Sequence, residues 1–211
     1  MPIILSLAIL AILSILLLTN NHSRRGGGTG SMDSRASARI ATGATMKCGD
    51  AKYCGVLTLE TGYGVGNYKH STPVVHGLWN EIGPYGNSTP MRDCSSGPTI
   101  TKPIACYDDA TFQEHEWTTH GINSDMACSS EDFFGQVCSL ASAPLSIMTK
   151  VNNPSASGTV NLTNMSNALI SRGYGIFDID HSNSQIELYV CAGSDGQWKL
   201  SSPTNFAKDC S

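Results

Sequence analysis

All eight cysteines of this 211-residue chain fall between Cys48 and Cys210. An even count in one stretch of modest length implies a disulfide framework of up to four bridges and an oxidising compartment. A zinc site is the weaker reading of the same residues, because no Cys-x-x-Cys pair occurs. What precedes the cysteines agrees with export. Ile3 to Leu18 is an apolar run broken only by Ser6 and Ser14. At about 16 residues it is shorter than the roughly 20 that a spanning helix needs. We therefore expect a secretory signal peptide over 1–20, with a retained N-terminal anchor as the alternative. The run has no Lys or Arg before it. The small-x-small pattern of Ala36-Ser37-Ala38 comes only far downstream. Residues 21–45, with their "RRGGGTGS", cannot bury a core and read as a flexible tether or processed segment. Residues 46–211 are then one domain by length. Sequons at Asn87, Asn161 and Asn164 mark candidate glycosylation sites.

Charge narrows the partners. Met46 to Ser211 holds nine lysines and arginines against sixteen aspartates and glutamates, a balance of −7. No basic run is present, so a tight, sequence-independent grip on nucleic acid is not expected. A nucleic acid would have to be handled locally and transiently, or at a pH where histidines are charged.

"GVLTLE" at Gly55–Glu60 alternates and predicts a strand. "TPVVHGLW" predicts a short buried strand beginning at or near Pro73, or lying at a sheet edge. Asp108 to Gly121 predicts a helix, capped by Asp108 or Asp109 and stopped by Gly121. "SSEDFFGQVCSLASAPL" predicts a second, capped by Ser129 or Ser130 and ended by Pro144. "TNMSNALISRG" predicts a third, with Thr163 as cap and Gly173 as stop. "SQIELYVC" sets Ile186, Leu188 and Val190 against Glu187 and Tyr189, the pattern of a half-buried strand. "QWKLSS" is expected to pair with it as a hairpin. Strands and helices without a βαβ rhythm give an α+β class.

Two short segments carry chemistry. "FQEHEWTTHG" at Phe112–Gly121 sets His115 and His120 five apart. Five residues turn an α-helix about 140° past a full revolution, so the pair does not form the one-face metal grip that a four-residue spacing allows. Glu116 and His120, at i and i+4, share one row; His115 and Thr119 share the next. Taken alone, this segment reads more readily as a polar helix face with idle histidines. "VVHGLWNE" at Val74–Glu81 changes that, because it ends an apolar strand on His76. Two histidines on different elements can serve as base and acid in one displacement, since both titrate near working pH.

"HGLW" at His76–Trp79, followed by "HEWTTHG" at His115–Gly121, closely resembles the two active-site segments of the ribonuclease T2 family of secretory and vacuolar acid endoribonucleases. "DFFGQVCSL" after the second segment, and "IELYVC" with a final Cys near the end, are similar as well, so the resemblance spans roughly Tyr53 to Cys210. It implies an antiparallel sheet packed with helices and held by disulfides. It also implies RNA cleavage by transesterification to a 2′,3′-cyclic phosphate and then slower hydrolysis, with no metal or other cofactor. Such chemistry needs the 2′-hydroxyl, so DNA should be inert.

By the same resemblance His76 is the general acid and His120 the general base. His115 binds phosphate, and Glu116 helps organise the transition state. Trp79 and Glu81 fall near one base pocket and Phe112 near the other. Thr119 stands where the family has a lysine, and that lysine's charge on the phosphorane would be missing. Asn80 replaces a proline, and "LTLETG" replaces a Trp-Pro strand ending. "HGIN" displaces a cysteine, for which Cys128 is the candidate replacement. The resemblance implies Cys191–Cys210 and Cys106–Cys128, leaving Cys54–Cys94 and Cys48–Cys138 as the remaining pairs.

The expected protein is thus a monomer, secreted or in a vacuolar or lysosomal lumen, acting on RNA without stable membrane association. One rival is a T2-like protein of weak or lost activity that binds a partner, motivated by Thr119. Another is a metal-dependent hydrolase, which a chelator would disable. His70 and His181 read as surface histidines, Trp117 as core, and Trp198 as hairpin packing.

Overall fold

The computed structural model describes residues 46–81, 104, 106–121, 127, 129–152 and 162–211. The expected leader and tether, Cys94, Cys128, Asn87 and Asn161 lie outside the described residues, and of Glu81 only the backbone is described. Five strands form one antiparallel sheet: β1 (Tyr53–Glu60), β2 (Val74–Glu81), β3 (Ile176–Asp180), β4 (Gln185–Ala192) and β5 (Trp198–Leu200). Their order is β2-β1-β4-β3, with β5 also pairing β4. β3 takes the Gln185 end of β4, and β5 the Ala192 end. Among the described residues four α-helices join them: α1 (Ala110–Glu116), α2 (Ser130–Val151), α3 (Leu162–Ile170) and α4 (Phe206–Cys210). This is a disulfide-bonded α+β fold. No helix among the described residues is long and apolar enough to cross a membrane.

The sheet has two different faces. Leu57 and Leu59 of β1, with Val75, Leu78, Ile186 and Leu188, share a core with Phe133, Phe134 and Val137 of α2. On the opposite face Cys54 and Val56 meet Trp79, Cys191 and Phe206. β1 is therefore buried along its whole length. So is β4, apart from a half-buried Tyr189, which corrects the expectation of a half-buried strand. Glu187 does not face water; it is buried.

α2 runs through Pro144 instead of stopping there. The proline costs a backbone hydrogen bond and crowds the preceding turn, about 3 kcal/mol in a helix interior. However, Pro144 is buried in the stripe Val137, Ala141, Pro144, Met148. Helical spacing of apolar residues against the sheet outweighs the local break. Thr163 is likewise not the cap of α3, because the helix already includes Leu162. Gly173 follows α3 with φ of 89°, as a left-handed stop requires. β3 and α4 were not foreseen.

Asp109 caps α1, accepting from the Phe112 N–H at 2.8 Å. Gln113, fully buried, accepts from the Ile104 N–H at 2.7 Å. Val75 N–H donates to the Cys106 carbonyl at 2.9 Å. These bonds hang α1 beside β2. Asp109→Ala should lower stability by about 1 kcal/mol, read from the urea midpoint at unchanged slope. A cost near zero would mean that the cap contributes nothing.

Cys191 is bonded to Cys210, as the resemblance implied. The other three expected pairs are corrected. Cys106 bonds Cys138 of α2, not Cys128, and Cys54 bonds Cys48, six residues away, so Cys54 does not pair with Cys94, nor Cys48 with Cys138. The Cα separations, 5.2 Å for Cys48–Cys54 and 5.4 Å for Cys106–Cys138, lie in the usual disulfide range. Pairing by elimination overlooked a bridge between near neighbours in sequence.

Candidate active site

The site begins with an irregularity in β2. Val56 pairs Trp79, Leu57 pairs Leu78 and Thr58 pairs Gly77, but Leu59 then pairs Val75. His76 is the extra residue. Such a bulge disrupts the ladder locally and re-aims a side chain. Here it turns the imidazole over Glu60 of β1 and Gln185 of β4, which are partners across the sheet. Thr58 and Glu187 are the next pair on that face, and all four are buried.

His76 is only 4% exposed. Its Nδ1 lies 3.0 Å from Glu60 Oε1 and 2.9 Å from the Gln185 amide. Its Nε2 lies 3.6 Å from Glu116 Oε1. Tyr68 stacks on the ring at 5.6 Å between centroids, while Trp79 and Phe112 meet it edge-on at 5.2 and 4.8 Å. Burial alone would depress the imidazole pKa. The hydrogen bond to Glu60 and the charges of Glu116, Glu60 and Glu187 outweigh burial, so the pKa is raised and the cation favoured.

α1 supplies the other wall. It ends at Glu116, and Trp117–Gly121 form a π turn. The helix is therefore not α throughout Asp108 to Gly121, and the 3.6-residue rows drawn through His120 do not hold past Glu116. π turns insert local widening and recur at functional sites. Gly121 permits this one to close on Trp117: a Cβ there would lie 2.9 Å from indole Cζ3. Trp117 is in the core, as expected.

Glu116 is 1% exposed, and its Oε2 accepts from the Trp79 indole N–H at 3.2 Å. Burial raises its pKa, and the opposing pull of His76, His120, His115 and the Trp79 hydrogen bond is too small to cancel that. His120 also packs against Trp79, with ring centroids 5.7 Å apart. His76 and His120 thus both pack against one indole, whose N–H is held by the buried Glu116 carboxylate.

The structure brings together His76, Trp79, Phe112, Glu116 and His120. His115 is half-buried on α1, and its charge acts on Glu116. Thr119 is half-buried in the π turn. Trp79 is buried, with its N–H committed to Glu116. His181 is exposed, as expected, and Trp198 packs where β5 meets β4. Asn164 is exposed on α3, although Ser166, the third residue of its sequon, is buried with its hydroxyl on the Thr163 carbonyl.

His70 is not a surface histidine. Its side chain is 4% exposed, with Nε2 2.7 Å from Glu60 Oε2. Sequence reasoning also missed Glu60, Gln185 and Tyr68. A signal existed for the first two. "LTLE" and "QIELY" each put a polar or acidic residue at alternate positions, and only the second segment is read further, as a half-buried strand.

No family model matches this chain, and neither does any curated protein. Solved structures similar to it include an RNase-related protein from Calystegia sepium, at 13% identity and a TM-score of 0.40, over 71% of this chain and 89% of that one. A mutant of RNase MC1 in complex with 5′-UMP is similar at 17% identity and a TM-score of 0.39, over 71% of this chain and 91% of that one.

Proposed function

We propose that the chain is a secreted, monomeric endoribonuclease that cleaves single-stranded RNA by metal-independent transesterification. The observation that carries this reading is that His76, from the β2 bulge, and His120, from the π turn, both pack against Trp79, beside Glu116. The resemblance of those same two segments to the ribonuclease T2 family supports it.

In the proposed reaction His120 takes the proton from the ribose 2′-hydroxyl. The 2′ oxygen attacks phosphorus, and the bond to the 5′ oxygen breaks as His76 donates its proton to that oxygen. The products are a 2′,3′-cyclic phosphate and a free 5′-hydroxyl. Hydrolysis then runs the roles in reverse, with water in place of the departing alcohol. A general acid must hold its proton at working pH, and the carboxylates around His76 favour that state. Glu116, with its raised pKa, can present a protonated oxygen to a phosphoryl oxygen in acid. His115, beside Glu116 on α1, is the candidate phosphate ligand.

Purified, disulfide-intact protein should cleave single-stranded RNA in EDTA, faster at about pH 5 than at about pH 7, values that straddle the reference histidine pKa. The cuts should carry 2′,3′-cyclic ends, and the all-deoxy strand should stay intact. Thr119 favours a second reading, a T2-like protein that binds a partner without cleaving, and absence of cleavage by folded protein would select it. If the ribonuclease reading holds, Thr119→Lys should raise kcat by about tenfold or more, because it adds a fixed charge at the phosphorane. It should also move the optimum toward neutral pH. An unchanged rate and optimum would mean that Thr119 costs the site nothing.

A further inference from the structure

We propose that Glu60 is a positioning residue for His76: a buried carboxylate, itself held by His70, that keeps the proton on His76 Nδ1 and turns Nε2 to the substrate. The consequence for rate rests on the ribonuclease reading; the arrangement of protons does not.

Each Glu60 oxygen faces one imidazole. Oε2 lies 2.7 Å from His70 Nε2, and Oε1 lies 3.0 Å from His76 Nδ1. His70 Nδ1 lies 2.6 Å from the Thr72 carbonyl oxygen. A carbonyl only accepts, so His70 Nδ1 carries a proton, and Nε2 shares another with Glu60. Burial alone would raise the Glu60 pKa, but the hydrogen bonds and charges of His70 and His76 bring it below the usual glutamate value. Glu60 is therefore the anion, and His70 an imidazolium donating from both nitrogens. His70 leaves Glu60 one oxygen for His76. Gln185 Nε2 also lies 2.9 Å from Nδ1; an amide's oxygen and nitrogen exchange places by rotation, and with the oxygen turned to Nδ1 it accepts from the same N–H. On the other side of the ring, Glu116 at 3.6 Å from Nε2 is too far for a hydrogen bond. Nε2 is thus the nitrogen left to reach a departing oxygen.

The loop between β1 and β2 is shaped for this arrangement. Gly62, at φ of 87°, turns the chain, and the His70 N–H donates back to the Gly62 carbonyl at 3.0 Å. A Cβ on Gly62 would lie 2.6 Å from the His70 carbonyl oxygen and 3.1 Å from His70 Nδ1. The same loop returns Tyr68 onto the face of His76.

Other charges bear on His76 as well: Glu116 from α1 and Glu187 from β4. Asp108 acts on His70. The buried Tyr107 hydroxyl feels both Glu60 and Glu116. Of these groups only Glu60 meets His76 Nδ1, and Nδ1 sets the tautomer.

The test uses nitrogen NMR of the histidine rings, with the His76 signals assigned by their loss in His76→Asn, and pH profiles of kcat/KM. In the wild type, neutral His76 should carry its proton on Nδ1. In Glu60→Gln the His76 midpoint should fall. Activity requires the protonated acid, so the alkaline limb of the profile should move to lower pH. kcat should drop roughly tenfold or more, part of the 10²–10⁴ that a positioned proton-transfer group contributes. His70→Asn should act in the same direction more weakly. A wild-type His76 protonated on Nε2 when neutral would overturn the proposal, and so would an unmoved midpoint and limb in a folded Glu60→Gln. If that variant fails to fold, the wild-type tautomer decides. If the wild type does not cleave RNA, the ribonuclease reading fails while the ring spectra still judge Glu60.

Discussion

Asparagine at His76 should cut the cleavage of a dinucleotide by about 10²–10⁴, yet leave cleavage of a uridine 3′-(4-nitrophenyl phosphate) within about tenfold of wild type. Alanine at His120 should cut both. The difference follows from where each histidine's proton goes. An alkoxide leaves poorly unless it is protonated as the bond breaks, so a 5′-nucleoside oxygen needs the acid. A nitrophenolate leaves without help, so the acid's absence is then nearly silent. The base is needed in either case, because the 2′-hydroxyl must lose its proton to attack. Asparagine is the better replacement at His76. The ring lies between Glu60 and Glu116 and is 4% exposed. Alanine there would take the imidazole from one oxygen of each of two buried carboxylates, a cost that approaches the about 3–5 kcal/mol of breaking a buried pair, whereas an amide near the Nδ1 position keeps that Glu60 oxygen partnered. His120 is half-buried, so alanine is tolerable there. Steady-state kcat/KM on the two substrates is the measurement. If His120→Ala spares the aryl ester and His76→Asn does not, the roles are reversed.

How much of this was legible in the sequence depends on distance along the chain. The alternation in Gly55–Glu60 and Ser184–Cys191 found β1 and β4, and the cap candidates Asp108 or Asp109 and Ser129 or Ser130, of which Asp109 and Ser129 serve, found the starts of α1 and α2. His76, Glu116 and His120 stood out because each lies in a dense local motif. What depended on a neighbour remote in sequence was lost. Pro144 reads as a stop until the sheet that α2 covers is known. Glu187 reads as the polar side of a half-buried strand, and Glu60 as one more alternating residue, because alternation says only that a face is polar, not that an imidazole lies over that face. His70 lies ten residues from Glu60 on the far side of a glycine turn, and no periodicity links the two. The π turn has no signature in a helical wheel drawn at 3.6 residues. Its causes are tertiary: Trp117 packs against Phe133 and Phe134 of α2, and Gly121 lets the chain close on that indole.

Gly77→Ala should be the most damaging small substitution in the described site, lowering kcat by about 10²–10³, as for loss of one transition-state contact. It should lower stability by about 1–3 kcal/mol, as for overpacking. Conformational freedom is not the reason; no left-handed backbone occurs at this position. The reason is space. A Cβ on Gly77 would collide with Glu116 Oε2, and would come within 2.9 Å of Glu116 Cδ and 3.1 Å of Trp79 Nε1. Glu116 cannot swing into water to make room. It is 1% exposed, accepts from the indole on one oxygen and faces His76 with the other. Any retreat therefore shifts the carboxylate, the indole and, through the indole, the His120 ring that packs against it. A double-mutant cycle separates this account from general damage to an edge strand. On a Glu116→Ala background the collision partner is gone, so adding Gly77→Ala should cost little further activity or stability. Costs that simply add would mean that Gly77 serves the strand itself and not the approach of Glu116 to His76.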